Sequence, residues 1–153
     1  MSILTSFTKL PLNKLEMILD WRNNPTIKNN MYTKECITLE EHLKFVKSLQ
    51  NSTEKKYFLV SNDNFDIGVI YFTSISKLSC YMGIYANPNQ KGVGELLMQE
   101  IIKYGFNTLS CQAIKAEVYK NNQRAIKLYE AFGFTTISQS KNLLKMELKN
   151  ENR

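Results

Sequence analysis

A chain of 153 residues, 43% apolar, 22% charged and 11% aromatic, has the size and balance of one globular domain and leaves no room for a second. Twenty basic against fourteen acidic residues give a formal charge of +6, so the surface attracts anions; with no block of five lysines and no basic stripe interleaved with aromatics, no nucleic-acid partner is expected. No apolar run approaches the roughly 18 residues of a membrane span, and the start MSILTSFTKL lacks the basic end and apolar centre of a signal peptide, so the expectation is a cytoplasmic protein with no membrane partner.

Residues 2–9 alternate weakly and suit an edge strand that Pro11 ends. Leu15, Ile18, Leu19 and Arg22 then fall at i, i+3, i+4, i+7 on a first helix, which Asn23-Asn24-Pro25 stops. Thr38-x-x-Glu41 is a capping box, and Leu39, Leu43, Val46 and Leu49 carry a second helix to about Leu49. Residues 57–60 and 67–75, either side of Asn62-Asp63-Asn64, read as a hairpin. Residues 80–85 form a further strand, with Cys80, Met82 and Ile84 facing one way and Tyr81, Gly83 and Tyr85 the other. A helix over 92–104 and a strand over 114–119 follow. Ala125, Leu128, Tyr129 and Phe132 mark a last helix ended by Gly133, and strands over 134–138 and 143–148 close the chain. A meander followed by a β-α-β crossover predicts an α/β (α+β) fold: a mixed, mostly antiparallel sheet of about seven strands flanked by about four helices. It fills residues 1–149 as one domain, with 150–153 as a frayed tail.

The segment Asn87-Pro-Asn-Gln-Lys-Gly-Val-Gly94 lies between a strand and a helix. Its glycines let the backbone turn N–H groups outward beside a helix N-terminus, which suits a pyrophosphate; a plain strand-to-helix turn fits the same residues. The absence of a Gly-Lys-Ser/Thr ending and of a third glycine excludes a nucleoside-triphosphate loop and a dinucleotide fingerprint. Cys36, Cys80 and Cys111 form no CxxC pair and His42 is the only histidine, so no metal centre is expected.

One helix later comes Asn122, then Ala125 and Tyr129, then Gly133-Phe134. Together with Gly92-Val-Gly94 at that order and spacing, this pattern resembles the GCN5-related (GNAT) acetyltransferase superfamily. The resemblance implies acetyl-CoA as cofactor, held by Ile84, Tyr85 and Ala86 on a splayed strand, by Asn89, Gln90, Lys91, Gly92, Val93, Gly94 and Glu95 in the loop, and by Asn122, Arg124 and Tyr129. It implies Tyr129 as the acid that protonates the leaving thiolate. Gly83 is expected to ease the splay. Asn89 departs from the family, whose loop carries Gln or Arg there. Glu117 lies on the strand face opposite Ile114, Ala116 and Val118, where it fits both a base for the incoming amine and an ordinary solvent-facing glutamate.

Two residues of the N-terminal third stand out. Arg22 continues an apolar stripe, so its guanidinium points inward and needs a carboxylate or a substrate phosphate; His42 lies beside Leu39, Leu43 and Val46, as a core residue or a ligand contact. Trp21-Arg-Asn-Asn-Pro25, Met31-Tyr32, Glu41-His-Leu-Lys-Phe45, Lys56-Tyr-Phe-Leu59, Gly68-Val69, Gly83-Ile-Tyr85 and Lys91-Gly-Val-Gly94 resemble a bacterial branch of that superfamily. Its members acetylate the 4-amino group of a UDP-linked 4-amino-4,6-dideoxy sugar in pseudaminic acid synthesis, which serves flagellin glycosylation. That resemblance implies that Arg22, His42 and Thr73 hold the diphosphate of a UDP-amino-sugar partner, with Met31, Tyr32, Phe45 and Tyr81 lining the sugar pocket; an apolar lining suits a deoxy sugar. A branch acting on protein N-termini or ribosomal proteins shares a Trp-Arg-Asn-like segment, and a non-catalytic acyl-CoA sensor is the reading from another class. An unpaired edge near the C-terminal strands could join a second copy as a homodimer.

Overall fold

Seven strands carry the fold in a computed structural model that describes residues 1–151: β1 (Ser2–Ser6), β2 (Lys56–Asn62), β3 (Phe65–Thr73), β4 (Ser79–Ala86), β5 (Ala113–Tyr119), β6 (Thr135–Gln139) and β7 (Leu143–Lys149). They make one sheet in the order β1-β2-β3-β4-β5-β7-β6, antiparallel at every pairing except β4 with β5. The helices are α1 (Leu12–Asn23), α2 (Pro25–Lys28), α3 (Leu39–Ser48), α4 (Gly94–Lys103) and α5 (Gln123–Ala131). The chain thus has the mixed, mostly antiparallel architecture its patterning predicts.

Local chemistry accounts for the boundaries. Asp63 and Asn64 have φ of 51° and 71°, the left-handed pair that a tight β2–β3 turn requires and that Asp and Asn tolerate. The capping box at α3 is closed in both directions, Thr38 Oγ1 accepting from Glu41 N–H and Glu41 Oε1 accepting from Thr38 N–H. Asn23-Asn24-Pro25 does stop α1, but Asn24 also caps a new turn by accepting from Thr26 N–H, with Pro25 at its first position. That turn is α2, the helix beyond the four expected. The edge strand ends at Ser6 rather than Lys9, because the Ser6 hydroxyl accepts from Thr8 N–H and starts a 3-10 turn that buries Phe7. The tail is tied further than expected: Asn150 donates from its main chain to Gln112 O and from Nδ2 to Cys111 O. Arg153 and its predecessor lie outside the described residues.

The sheet separates two cores. On one face α4 and α5 cover Phe72, Cys80, Met82, Ile114, Ala116 and Met146; on the other α1 and α3 cover Leu59, Val69 and Tyr85 with Phe7, Ile18, Trp21 and Val46. Lys115, Glu117 and Tyr119 alternate with Ile114, Ala116 and Val118 and belong to neither core. They stand on the α1/α3 side of the sheet, beyond the reach of those helices. At the far edge every residue of β6 is exposed, and a bulge between Thr136 and Ser138 interrupts its pairing with β7.

Candidate active site

The parallel pairing of β4 with β5 lasts only from Ser79↔Ala113 to Tyr81↔Lys115. β4 nonetheless stays paired to β3 as far as Ala86, and β5 to β7 as far as Tyr119. Residues 82–86 and 116–119 therefore diverge, and main-chain groups that would have joined the two strands face the opening instead. The expected splay is present, but Gly83 has another reason. β4 carries no bulge against β3, and a Cβ at Gly83 would lie 2.0 Å from Tyr71 Cζ; the glycine makes room for that ring. Ile84 packs toward the α4/α5 core, whereas the side chain of Tyr85 lies in the α1/α3 core, so only its main chain can face the opening.

The loop after β4 hangs on Asn87. Its Nδ2 donates to Asp66 O and its N–H to Ile67 O, both at 2.9 Å, while its Oδ1 accepts from Asn89 N–H and its carbonyl from Gln90 N–H. The Asn89 amide is thus already engaged and its side chain is exposed. Gly92 turns the chain at φ 73° in open space, and Val93 caps α4 with no side-chain hydrogen bond. The first amides of α4, from Gly94 through Glu95, consequently keep the unmet donors and partial positive charge of a helix start. A Cβ at Gly94 would approach Leu128 Cδ2 to 3.1 Å, so α4 and α5 come close beside this loop. Lys91 is exposed on it.

At α5, Asn122 spends its Oδ1 capping Ala125 N–H, and Arg124 is exposed in the first turn. Gly133, at φ 95°, ends the helix. Tyr129, 7% exposed, packs in the α4/α5 core with its ring centre 5.9 Å from that of Phe134. Burial pushes its phenol well above the ordinary range, and the nearby Tyr71 phenol adds to this. Tyr129 is therefore protonated at any physiological pH.

A pocket of about 200 Å³ lies at the mouth of the β4–β5 opening, lined by Tyr32, Tyr71, Thr73, Ser74, Tyr81, Met82 and Glu117. It brings together four of the residues singled out in the sequence: Tyr32, Thr73, Tyr81 and Glu117. Met82 and Glu117 come from the two diverging strands. Tyr32 donates to Glu117 Oε1 at 2.8 Å; burial first, then that bond and the carboxylate charge, push the phenol up. On the rim the ammonium groups of Lys145 and Lys115 lie 5.7 and 6.0 Å from the Tyr81 ring centre.

Behind this pocket stands an aromatic ladder that the sequence reading missed. Tyr57 and Tyr71 are cross-strand partners with rings stacked at 4.7 Å and 4°, and Tyr85 follows at 6.3 Å. Phe45 packs edge-on against Tyr57 at 4.8 Å, and Tyr71 donates weakly to Met31 Sδ at 3.9 Å. The Arg22 charge opposes the upward push that burial exerts on the phenols of Tyr57, Tyr71 and Tyr85. Arg22 points inward as expected, yet it forms no ion pair among the described residues. Its Nη2 donates to Thr33 O at 2.8 Å and its Nη1 is buried without a partner. His42 takes the core position that its apolar neighbours on the helix allow, and its Nε2, like Arg22 Nη1, is buried without a hydrogen-bond partner. It is 6% exposed in the α1/α3 core, edge-on to Phe7, kept neutral by burial, and does not line the pocket.

The sequence profile of the acetyltransferase (GNAT) domain matches residues 6–135. Acetyltransferase PseH of Campylobacter jejuni (strain 81-176) is 47% identical over 146 residues, covering 95% of this chain and 92% of that protein. The crystal structure of C. jejuni N-acetyltransferase PseH in complex with acetyl coenzyme A superposes with a TM-score of 0.86 at 42% identity, over 99% of this chain and 100% of that one. Spermidine N-acetyltransferase from Vibrio cholerae shares the fold, with a TM-score of 0.85 at 20% identity over 97% of this chain and 95% of that one. A profile spanning most of the chain and a relative of nearly half identity along nearly all of it lead to one conclusion: this chain is an N-acetyltransferase and belongs to the GNAT family.

Proposed function

We propose that the enzyme moves an acetyl group from acetyl-CoA to the 4-amino group of a UDP-linked 4-amino-4,6-dideoxy sugar, the acetylation step of pseudaminic acid synthesis. One observation carries the reading. A pocket at the mouth of the β4–β5 opening joins a carboxylate, Glu117, to Thr73 and Tyr81, and behind it a buried arginine nitrogen has no anion of its own. The uncapped start of α4 suits a pyrophosphate, and the main-chain groups along the opening suit an amide-bearing arm threaded as an extra strand. Acetyl-CoA supplies the activated acyl group.

The residues then divide the work. Main-chain amides of residues 82–86 polarise the thioester carbonyl. Glu117 takes a proton from the acceptor ammonium, the freed amine forms the new N–C bond as the C–S bond breaks, and the second proton that nitrogen loses in becoming the amide restores the Tyr129 phenol through solvent. Tyr129, kept protonated by burial, donates to the departing sulfur as negative charge grows there. Direct transfer fits the thiols as well: Cys80 and Cys111 are buried in the α4/α5 core, burial pushes Cys80 up, and the lone histidine lies in the opposite core. Arg22 and Thr73 take the diphosphate, Met31, Tyr32, Phe45 and Tyr81 surround the sugar, and His42 supports α1 against α3.

The test is a turnover assay with acetyl-CoA and either the UDP-amino sugar or peptides bearing free N-termini, with calorimetry of coenzyme A alongside. Acetylation confined to the sugar, with measurable coenzyme A binding, is the expected result. Turnover of peptides but not of the sugar overturns the acceptor, and the absence of any turnover despite binding turns the enzyme into a sensor.

A further inference from the structure

Residues 29–37 link α2 to α3 through turns and bends, yet the segment is fastened along its length. Arg22 Nη2 donates to Thr33 O at 2.8 Å. Asn23 holds Ile37 from both sides, Nδ2 donating to the carbonyl and Oδ1 accepting from the N–H, each at 2.8 Å. Both anchors are neighbours in the last turn of α1. At the first anchor the segment crosses to β5, where the ring of Tyr32, the residue before Thr33, meets Tyr119 edge-on at 6.3 Å and Lys34 Nζ lies 5.0 Å from the Tyr119 ring centre. At the crossing Tyr32, 65% exposed, reaches a carboxylate 85 positions along the chain.

An exposed glutamate on a strand visits several rotamers, whereas a general base works only within about 2.6–3.2 Å of its proton. The Tyr32 bond engages Oε1 and leaves Oε2 for an incoming amine. We propose that Tyr32 is a positioning residue that fixes the Glu117 carboxylate for proton abstraction. The proposal rests on Glu117 being the base.

A double-mutant cycle separates the two ideas. Glu117→Gln reports the base, Tyr32→Phe removes one hydroxyl while keeping the ring on Tyr119, and the double variant reports the coupling. All are assayed by steady-state kinetics with acetyl-CoA and the UDP-amino sugar. Tyr32→Phe is expected to lower kcat about tenfold, as loss of a hydrogen bond to a charged group does, with the acetyl-CoA KM unchanged. In the Glu117→Gln background it costs nothing further. Normal kcat in Glu117→Gln overturns the base assignment and the proposal together. A kcat loss in Glu117→Gln beside a Tyr32→Phe variant that raises only the acceptor KM, or losses that multiply in the double variant, overturns the proposal alone.

Discussion

From β4 through α5 the side of the site away from the pocket is made of main chain: amides along a strand that loses its partner after Tyr81, a loop held by Asn87, and a helix start with no side-chain cap; Tyr81, Met82 and Glu117 of the same stretch face the pocket. From α1 through β3 it is made of side chains that converge from distant positions, among them Arg22, Met31, Tyr57 and Tyr71. A surface of amides recognises its ligand whatever the side chains are, so this half is expected to tolerate a change such as Asn for Gln or Arg at Asn89. The other half has no such margin. There the identity of each side chain sets both what is bound and how well the fold holds together.

The largest effect tests the exception in the main-chain half. Tyr129→Phe is expected to lower kcat by about 10²–10³-fold, within the usual range for a lost general acid, while calorimetry finds coenzyme A binding unchanged. A variant of normal kcat removes the phenol from the chemistry. Next comes Arg22→Met. It should raise the acceptor KM about 10–100-fold, as loss of a charge-assisted pair does, and leave the acetyl-CoA KM alone. Because Nη1 is buried without a partner while Nη2 bonds Thr33 O, the two losses offset and thermal melting should show a Tm little changed. A Tm loss of many degrees would make Arg22 structural.

Gly83→Ala pushes a methyl into the Tyr71 ring and should cost about 1–3 kcal/mol of stability, as overpacking does. Its acceptor KM should rise more than its acetyl-CoA KM, since the displaced ring stands on the acceptor side. The smallest effect concerns His42. Burial lowers its pKa from the ordinary 6.5, so the unfolded chain binds the proton first. Stability is then full above about pH 6.5 and falls as the pH drops toward the folded value. His42→Phe should flatten that slope in melts between pH 7 and about 5, and an unchanged slope would assign the acid sensitivity elsewhere.

What could be read in advance follows the same division. The turn at Asp63-Asn64, the capping box at Thr38 and the run Asn122, Ala125, Tyr129, Gly133 are local patterns, each complete within a few residues, and the elements formed where they pointed. The ladder of Tyr57, Tyr71 and Tyr85 is not local. It exists only once β2, β3 and β4 pair in one register, and no spacing along the chain announces it. The space Gly83 leaves is not local either, since the ring it accommodates arrives from the neighbouring strand. The burial of His42 accords with its apolar neighbours on the helix, a pattern local to α3.

With only three residue pairs joining β4 to β5, the sheet has a seam across its middle, and the pocket lies at that seam. Amides along it lack the ladder that protects their neighbours, so hydrogen–deuterium exchange should be fastest there in the free enzyme. A molecule wedged into the gap supplies the missing rungs. Exchange along the seam should therefore slow when coenzyme A is added, so that catalytic readiness and mechanical continuity arrive together.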